Sequence, residues 1–282
     1  MKRSPKNWIE YELIDHGKKR KLERFGEYIL IRPEPSALGA PFLNEGKWNE
    51  LAHVEFFQET PNSGYWKKLK EMPGEWQLSY SLSEHKVMLN LRLTKFKHIG
   101  VFPEQAVNWE KIYTSINKGQ RFLNLFAYTG AASLAAKCKG ADTYHVESVK
   151  QVISWAKENM GSSQLSDIRW VLEDALKFTE REVKRKNQYN LIILDPPAFG
   201  RGPKGEVWKL ETGLDKIISN CAHLLSKKGT LILNVYSPSI SEEQVMDICQ
   251  RHFLNKRFEF GHLILKNGYD KELFMGIYVW VN

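Results

Sequence analysis

The 282-residue sequence predicts an α/β fold, in which a small β-rich N-terminal domain precedes a doubly wound, seven-stranded and mostly parallel sheet with an antiparallel terminal hairpin. From about residue 120, short apolar runs alternate with helical segments, a pattern typical of a parallel sheet covered by helices on both faces. Before residue 100, strand-like runs alternate with closely spaced prolines and glycines, which favour turns. These two patterns predict domains at 1–100 and 101–282.

The strands predicted in the first domain are Glu27–Arg32, Trp76–Ser81 and Lys86–Thr94. Those predicted in the second are Phe122–Phe126, Thr143–Val146, Ile168–Leu172, Tyr189–Leu194, Thr230–Tyr236, Arg257–Leu265 and Leu273–Val281. Its predicted helices are Ala131–Lys139, Val149–Met160, Ala175–Lys186, Gly213–Leu225 and Glu242–Phe253. The Asn-Gly pair in the turn 266–270 favours an antiparallel hairpin between the last two strands.

The composition is that of a folded globular protein, with 42% hydrophobic and 26% charged residues. No apolar run approaches the roughly 20 residues of a membrane helix, and the basic start Met1–Glu10 lacks the apolar segment of a signal peptide. Cys138, Cys221 and Cys249 have no paired spacing, so we expect neither a disulfide framework nor a metal site. The cysteines fit a cytoplasmic protein. The oligomeric state stays open.

A net charge of +8 and a pI of about 9.2 are typical of proteins that bind a polyanion, although many basic proteins bind none. The basic run Gly17–Arg24 either contacts phosphate or forms a solvated hairpin. Most of the aromatic residues in the first domain are expected in a core. One or two exposed aromatic side chains would be able to stack on bases, but the sequence does not identify them. The first domain is therefore a possible RNA-binding domain.

Candidate binding residues lie at the ends of the first three strands of the second domain. In open α/β sheets, ligands bind at the carboxyl ends of the strands. The first is the run Leu123–Gly130, in which Gly130 permits close backbone approach. Glu147 ends the second strand, where an acid about 20 residues past the glycine turn accepts hydrogen bonds from ribose hydroxyls. Asp174, after the third strand, either accepts from an adenine amino group or caps a helix. The first run lacks the G-x-G-x-x-G fingerprint, which disfavours a nicotinamide oxidoreductase.

The run Asp195-Pro-Pro-Ala-Phe199 directly follows the fourth strand. Pro196 and Pro197 fix the backbone and remove two amide donors, so we expect Asp195 and nearby carbonyls to point into the cleft, where they can accept a hydrogen bond from a nucleophile's N–H. Phe199 is suited to stack on a planar base. The segment Gly200–Gly205 is glycine-rich and basic, and its Arg201 and Lys204 suit phosphate contacts or a lid. The run resembles the Asp/Asn-Pro-Pro-aromatic loop of amino-methylating enzymes, although its aromatic residue comes one position later, after Ala198. The resemblance implies methyl transfer to a nitrogen.

The order of these motifs resembles that of class I S-adenosylmethionine (SAM)-dependent methyltransferases, and in particular of the bacterial 23S ribosomal-RNA methyltransferases that make 5-methylcytosine or 7-methylguanine. The matching runs are Phe122–Gly130, His145–Ser148, Leu172–Ala175 and Asp195–Phe199. The resemblance implies a Rossmann-like SAM-methyltransferase fold, SAM as cofactor and ribosomal RNA as partner. It also implies that Glu147 holds the ribose, that Asp174 holds the adenine and that Ser148 belongs to the cofactor-binding residues. The residues implied to line the SAM pocket are Phe126, Tyr128, Thr129 and Gly130.

Upstream, Gly100–Gln105 resembles a loop of that family, Gly-x-x-x-Asp-Gln-Arg, which lies beside SAM. Gln105 is retained, whereas Glu104 replaces the aspartate and Ala106 the arginine. The resemblance therefore implies that Gln105 contacts the cofactor.

One departure from this family bears on the methylated atom. Methylation of cytosine C5 needs a thiolate that adds to the ring, and the family places its cysteine just after the fifth strand. Here Val235–Ser239 contains no cysteine, so guanine N7 or an exocyclic amine is favoured as the target. Two alternatives remain open: a methyltransferase for a protein or small molecule, and a non-catalytic protein that binds SAM or RNA.

Overall fold

The computed structural model describes residues 1–6, 8–60 and 63–282. It contains two compact units. The N-terminal unit comprises Lys2–Val107 and Leu263–Met275, and the C-terminal unit comprises Met1, Asn108–His262 and Gly276–Asn282. The predicted domain boundary near residue 100 stays a prediction. Within the described residues, no helix has both the length and the apolar composition needed to span a membrane.

The N-terminal unit is built from strands and one short helix. The strands are β1 (Lys2–Arg3), β2 (Tyr11–Gly17), β3 (Arg20–Phe25), β4 (Tyr28–Pro33), β5 (Val54–Thr60), β6 (Ser63–Lys68), β7 (Glu75–Leu82) and β8 (His85–Arg92). Strands β2 to β6 form one sheet in sequence order, with β4 and β5 parallel, and β7 and β8 form a separate hairpin. Helix α1 (Glu45–Leu51) follows β4, and a 3-10 turn spans Pro103–Gln105. The three strands predicted here are confirmed. The sequence patterns offered β3 only within the hairpin alternative for Gly17–Arg24, and they missed β1, β2, β5 and β6.

The basic run Gly17–Arg24 is a hairpin, but the prediction that it is solvated is wrong for its strand residues. Lys21 and Glu23 are buried. The Arg32 guanidinium donates to the Glu23 carboxylate at 2.7 and 2.9 Å, and the Tyr11 hydroxyl donates to it at 2.9 Å. Burial alone would raise the pKa of Glu23, but the charges of Arg32 and Lys21 hold it below its ordinary value. These charges are therefore part of the interior.

The C-terminal unit contains the remaining strands and helices. Its strands are β9 (Arg121–Leu125), β10 (Asp142–Glu147), β11 (Ile168–Leu172), β12 (Tyr189–Leu194), β13 (Phe199–Arg201), β14 (Val207–Lys209), β15 (Leu225–Val235), β16 (Phe258–Lys266) and β17 (Glu272–Val281), of which residues 263–266 and 272–275 belong to the N-terminal unit. Its helices are α2 (Ala106–Ser115, of which the first two residues belong to the N-terminal unit), α3 (Ala131–Cys138), α4 (Lys150–Ser162), α5 (Ala175–Lys184), α6 (Leu210–Leu224) and α7 (Glu242–His252). All the strands and helices predicted for this part of the chain are present, within a few residues at their ends.

The main sheet has the order β16-β17-β15-β12-β9-β10-β11. Strands β15, β12, β9, β10 and β11 are parallel, and β17 runs antiparallel to β15. This order confirms the predicted α/β fold with a mostly parallel sheet. Apolar side chains of α6 at helical spacing, such as Leu214, Ile218 and Cys221, are buried in its core. Because the register aligns the carboxyl ends of β9, β10, β11 and β12, the polar residues after these strands meet at one edge.

Candidate cofactor and catalytic site

The loop after β9 has an unusual backbone. Phe126, Tyr128 and Gly130 all have positive φ angles, of 55°, 50° and 89°. Two of these residues are not glycine, so the loop stores strain of the kind that clusters at functional sites. Hydrogen bonds hold it in place: the Ala127 amide donates to Val146 O at 3.1 Å, and Asn159 Nδ2 donates to Thr129 O at 2.9 Å. A Cβ at Gly130 would lie 3.2 Å from Ala156 Cβ and 3.3 Å from the His145 ring, and its φ of 89° disfavours any side chain, so this position favours glycine.

Glu147, at the end of β10, fastens this loop to the next strand. Its carboxylate accepts hydrogen bonds from the backbone amides of Tyr128, Ser148 and Val149 at 3.0, 2.8 and 3.0 Å, and from the Ser148 hydroxyl at 3.3 Å. Burial raises the pKa of Glu147, and the hydrogen bonds oppose that shift. Glu147 and Ser148 therefore shape the turn as well as facing the cleft.

A cleft lies between the strand ends, and it contains six of the predicted site residues: Phe126, Glu147, Ser148, Asp174, Pro197 and Arg201. Its other lining residues are Val146, Glu173, Ala175, Gly200 and Trp208. Asp174 is also the N-cap of α5, because its side chain accepts from the Lys177 amide at 3.0 Å. That bond involves Oδ1, which leaves Oδ2 available for a ligand.

The segment after Pro197 forms a two-stranded hairpin, β13–β14, which the sequence analysis did not predict. Trp208 anchors it: the indole Nε1 donates to Pro197 O at 2.7 Å, and the ring lies 4.9 Å from the Phe126 ring. Lys177 forms an ion pair of 2.8 Å with Glu206 in the turn. The Pro197 carbonyl is therefore engaged by Trp208, and the hairpin forms one wall of the cleft.

Asp195 lies at the end of β12, beside the end of β15. Asn234 Nδ2 donates to Asp195 Oδ1 at 2.8 Å, and Asn234 is 2% exposed. Burial raises the pKa of Asp195 to about 6, and the Asn234 bond opposes this shift. Asn234 Oδ1 has no hydrogen-bond partner within the part of the chain that the structure describes. The pair thus places acceptor oxygens of both side chains together at this strand edge.

The other predicted residues have different surroundings. Phe199 is 54% exposed and is paired with Lys209 in the hairpin, and the Arg201 guanidinium lies 5.9 Å from its ring. Lys204 is exposed in the turn, and Pro196 is buried. Gln105 is buried at the end of its 3-10 turn in the N-terminal unit. Its proposed contact with the cofactor stays a prediction.

The sequence patterns gave no role to Trp208 and Asn234, which make the hydrogen bonds that hold Pro197 and Asp195. Trp208 comes after a basic segment, where an aromatic residue gives no local sign of packing back onto Phe126. Asn234 lies within an apolar strand, Leu231–Val235, and a lone buried polar residue there is a usable signal because buried amides require partners. The register of β12 with β15 supplies the Asp195 partner.

Comparisons with known proteins find a matching family, similar sequences and similar structures. The family model described as conserved hypothetical protein 95 matches residues 100–248. A ribosomal RNA large subunit methyltransferase K/L from Cellvibrio japonicus is 31% identical over 191 residues, which is 65% of this chain and 24% of that protein. The protein of the same name from Vibrio cholerae is 30% identical over 168 residues, 58% of this chain and 23% of that protein. The chain thus spans about a quarter of the length of these relatives.

Solved structures extend the likeness over the whole chain. A SAM-dependent methyltransferase from Agrobacterium tumefaciens has a TM-score of 0.93 and 34% identity, over 100% of this chain and 93% of that one. A putative SAM-dependent methyltransferase from Streptococcus mutans has a TM-score of 0.75 at 15% identity, over 98% and 76% of the two chains, which shows the shared fold.

Proposed function

We propose that this chain transfers a methyl group to a base nitrogen of ribosomal or another structured RNA. The chain belongs to the family described as conserved hypothetical protein 95 and to the SAM-dependent methyltransferases. The observation that carries this proposal is the partly buried Asp195 beside Asn234, at the edge of a cleft that suits SAM. The names of the curated relatives and the charge of +8 support RNA as the substrate. Such an enzyme would work in the cytoplasm.

The residues of the cleft fit SAM. Glu147 and Asp174 offer carboxylate oxygens at neighbouring strand ends, as ribose hydroxyls and an adenine amino group require. Phe126 and Trp208 supply apolar walls for the adenine ring. SAM contains no phosphate, so the absence of a glycine-rich fingerprint is consistent with it. When bound, SAM supplies a methyl group that its sulfonium has already activated.

The protein's own contribution is to position the nucleophile. A base N–H donates to the Asp195 carboxylate, which Asn234 holds in place and which takes up the proton released on methylation. Pro196 and Pro197 keep this loop rigid, and Phe199 stacks on a base at the mouth. Arg201 and Lys204 contact phosphates. Such positioning supplies up to roughly 7–11 kcal/mol of barrier reduction.

The cysteines argue further for a nitrogen target. Burial raises the pKa of Cys138 to about 11 and that of Cys249 to about 12, and it also raises the pKa of Cys221. None of these thiols is suited to form the thiolate that C5 methylation needs. Since Asp195 and Asn234 present acceptor oxygens, an amine that carries N–H groups suits the site better than guanine N7, which carries none.

The test is methyl transfer from labelled SAM to deproteinised bacterial ribosomal RNA, followed by digestion to nucleosides and mass spectrometry. We expect one methylated nucleoside with the label on nitrogen, and binding of the RNA that weakens steeply as salt rises. Label found only in protein or in small molecules would support the alternative substrates and reject RNA. An absence of transfer with intact binding of S-adenosylhomocysteine would favour the non-catalytic alternative.

The pH dependence of transfer should follow the ionisation of Asp195. Because its pKa is raised to about 6, kcat/KM should increase with pH up to about 6 and then level off. The sign follows from the requirement for an ionised acceptor. Transfer rates between pH 5 and 8 at saturating SAM and subsaturating RNA measure this, and a kcat/KM that stays flat below pH 6 would contradict the role of Asp195.

Asn234→Ala should move that profile to higher pH. The Asn234 bond lowers the pKa of Asp195, so its loss leaves the carboxyl easier to protonate. We expect a rate loss of about tenfold at pH 6 and a smaller one at pH 8, with little change in the affinity for S-adenosylhomocysteine. Equal losses at both pH values would indicate a structural role for Asn234.

A further inference from the structure

The tip of the β2–β3 hairpin carries two lysines in a conformation that disfavours them. Lys18 and Lys19 have φ angles of 48° and 60°, between the paired residues Gly17 and Arg20. Positive φ at both central residues defines a type I′ turn, which strongly prefers Asn-Gly. Lysine gains nothing from this backbone, so the turn itself does not account for two adjacent exposed ammonium groups.

This tip packs against the loop 36–44 of the same unit. The Lys18 amide donates to Gly39 O and the Lys19 amide to Ala37 O, both at 2.8 Å. A buried carboxylate fixes the far end of the loop: Asp15 accepts from the amides of Phe42 and Leu43 at 3.1 and 2.8 Å. The lysines and Phe42 are therefore parts of one rigid assembly.

Phe42 is stacked on Tyr269 in the turn between β16 and β17. Their ring centroids are 3.8 Å apart with planes 20° from parallel, although Phe42 is 66% and Tyr269 44% exposed. Asn267 Oδ1 accepts from the Tyr269 amide at 3.1 Å, and Lys271 Nζ donates to Ala40 O at 2.7 Å, which ties the two loops together. Two rings held rigidly in solvent form a preorganised stacking platform.

We propose that Lys18, Lys19, Phe42 and Tyr269, here called the ring-and-lysine surface, bind an unpaired segment of the RNA substrate. A splayed base stacks on the exposed ring face, and the two ammonium groups contact the adjoining phosphates. This inference rests on the proposed function, because it assumes an RNA substrate. Rigid aromatic rings and cations on one loop assembly suit a nucleic-acid strand better than an acidic protein, which would use the charges and leave the ring faces unused.

The first test variant is Lys18→Asn/Lys19→Gly, which gives the turn its preferred residues. It should raise the melting temperature, since the strained lysines are gone, while it weakens binding of deproteinised ribosomal RNA. If both lysines contact phosphate, the slope of log K against log salt should be shallower in the variant than in the wild type by about 1.4, since each phosphate contact on a single strand contributes about 0.7. Lys227→Ala/Lys228→Ala, which removes two adjacent exposed lysines of β15, is the matched control.

The second variant, Phe42→Ala/Tyr269→Ala, should weaken RNA binding about tenfold or more with an unchanged salt slope. Both variants should bind S-adenosylhomocysteine as the wild type does. If the wild type methylates RNA but both variants bind RNA as tightly as the control variant does, the ring-and-lysine surface does not bind RNA. The proposed function would then remain intact. If the wild type binds no RNA, both proposals fall. Parallel losses for a polyglutamate peptide would assign the surface to acidic proteins and overturn the inference.

Discussion

Asp195→Ala is expected to lower the rate of methyl transfer by about 10³-fold, within the range of about 10²–10⁴ that a positioned acid or base contributes. The variant removes both the acceptor that aligns the nucleophile and the group that takes up its proton. Affinity for S-adenosylhomocysteine should change little, because Asp195 is not among the residues that line the cofactor cleft. Single-turnover transfer and isothermal titration calorimetry separate the two effects.

Two further variants make this test specific. Asp195→Asn keeps the shape and one acceptor oxygen but cannot take a proton, so it should retain more activity than alanine while its rate loses the limb near pH 6. Asp247→Ala removes an exposed aspartate of α7 and should transfer methyl groups normally. Transfer by Asp195→Ala at the wild-type rate would remove Asp195 from the mechanism.

The C-terminal unit was predictable because its elements follow simple periodicities. Apolar runs such as Tyr189–Leu194 are buried strands, and parallel register then places the residues after them at one edge. Glu147, Asp174 and Asp195 were accessible to this reasoning, since each lies at the end of a strand or within two residues of it. Helix α6 began three residues earlier than predicted, at Leu210, because the hairpin β13–β14 leads directly into it.

The N-terminal strands were less predictable because their charges are buried. Lys21, Glu23 and Arg32 satisfy one another inside the fold, so the alternation of apolar and polar residues that marks a half-buried strand is missing from β3. The exposed pair of aromatic rings was not predictable for a different reason. Phe42 and Tyr269 lie far apart in sequence, and only tertiary structure joins them.

Glu147→Ala is expected to weaken binding of S-adenosylhomocysteine by about 10²-fold or more, since a pair of charge-assisted hydrogen bonds contributes about 3–6 kcal/mol. The variant loses the proposed ribose acceptor. It also releases the amides of Tyr128, Ser148 and Val149, so the left-handed backbone at Tyr128 loses one of its restraints. Calorimetric titration measures the loss directly.

Glu147→Gln tests whether the negative charge of this residue is needed for cofactor binding. The amide keeps one oxygen for the loop and can still pair with a ribose hydroxyl, so we expect an intermediate loss of about tenfold. Glu243→Ala, an exposed glutamate of α7, is the control and should bind normally. If Glu147→Gln binds as weakly as Glu147→Ala, the charge itself holds the ribose; if both bind like the wild type, the cofactor does not use this strand end.

Because Glu147 has a raised pKa, wild-type affinity for S-adenosylhomocysteine should also fall as the pH is lowered and the carboxylate is neutralised.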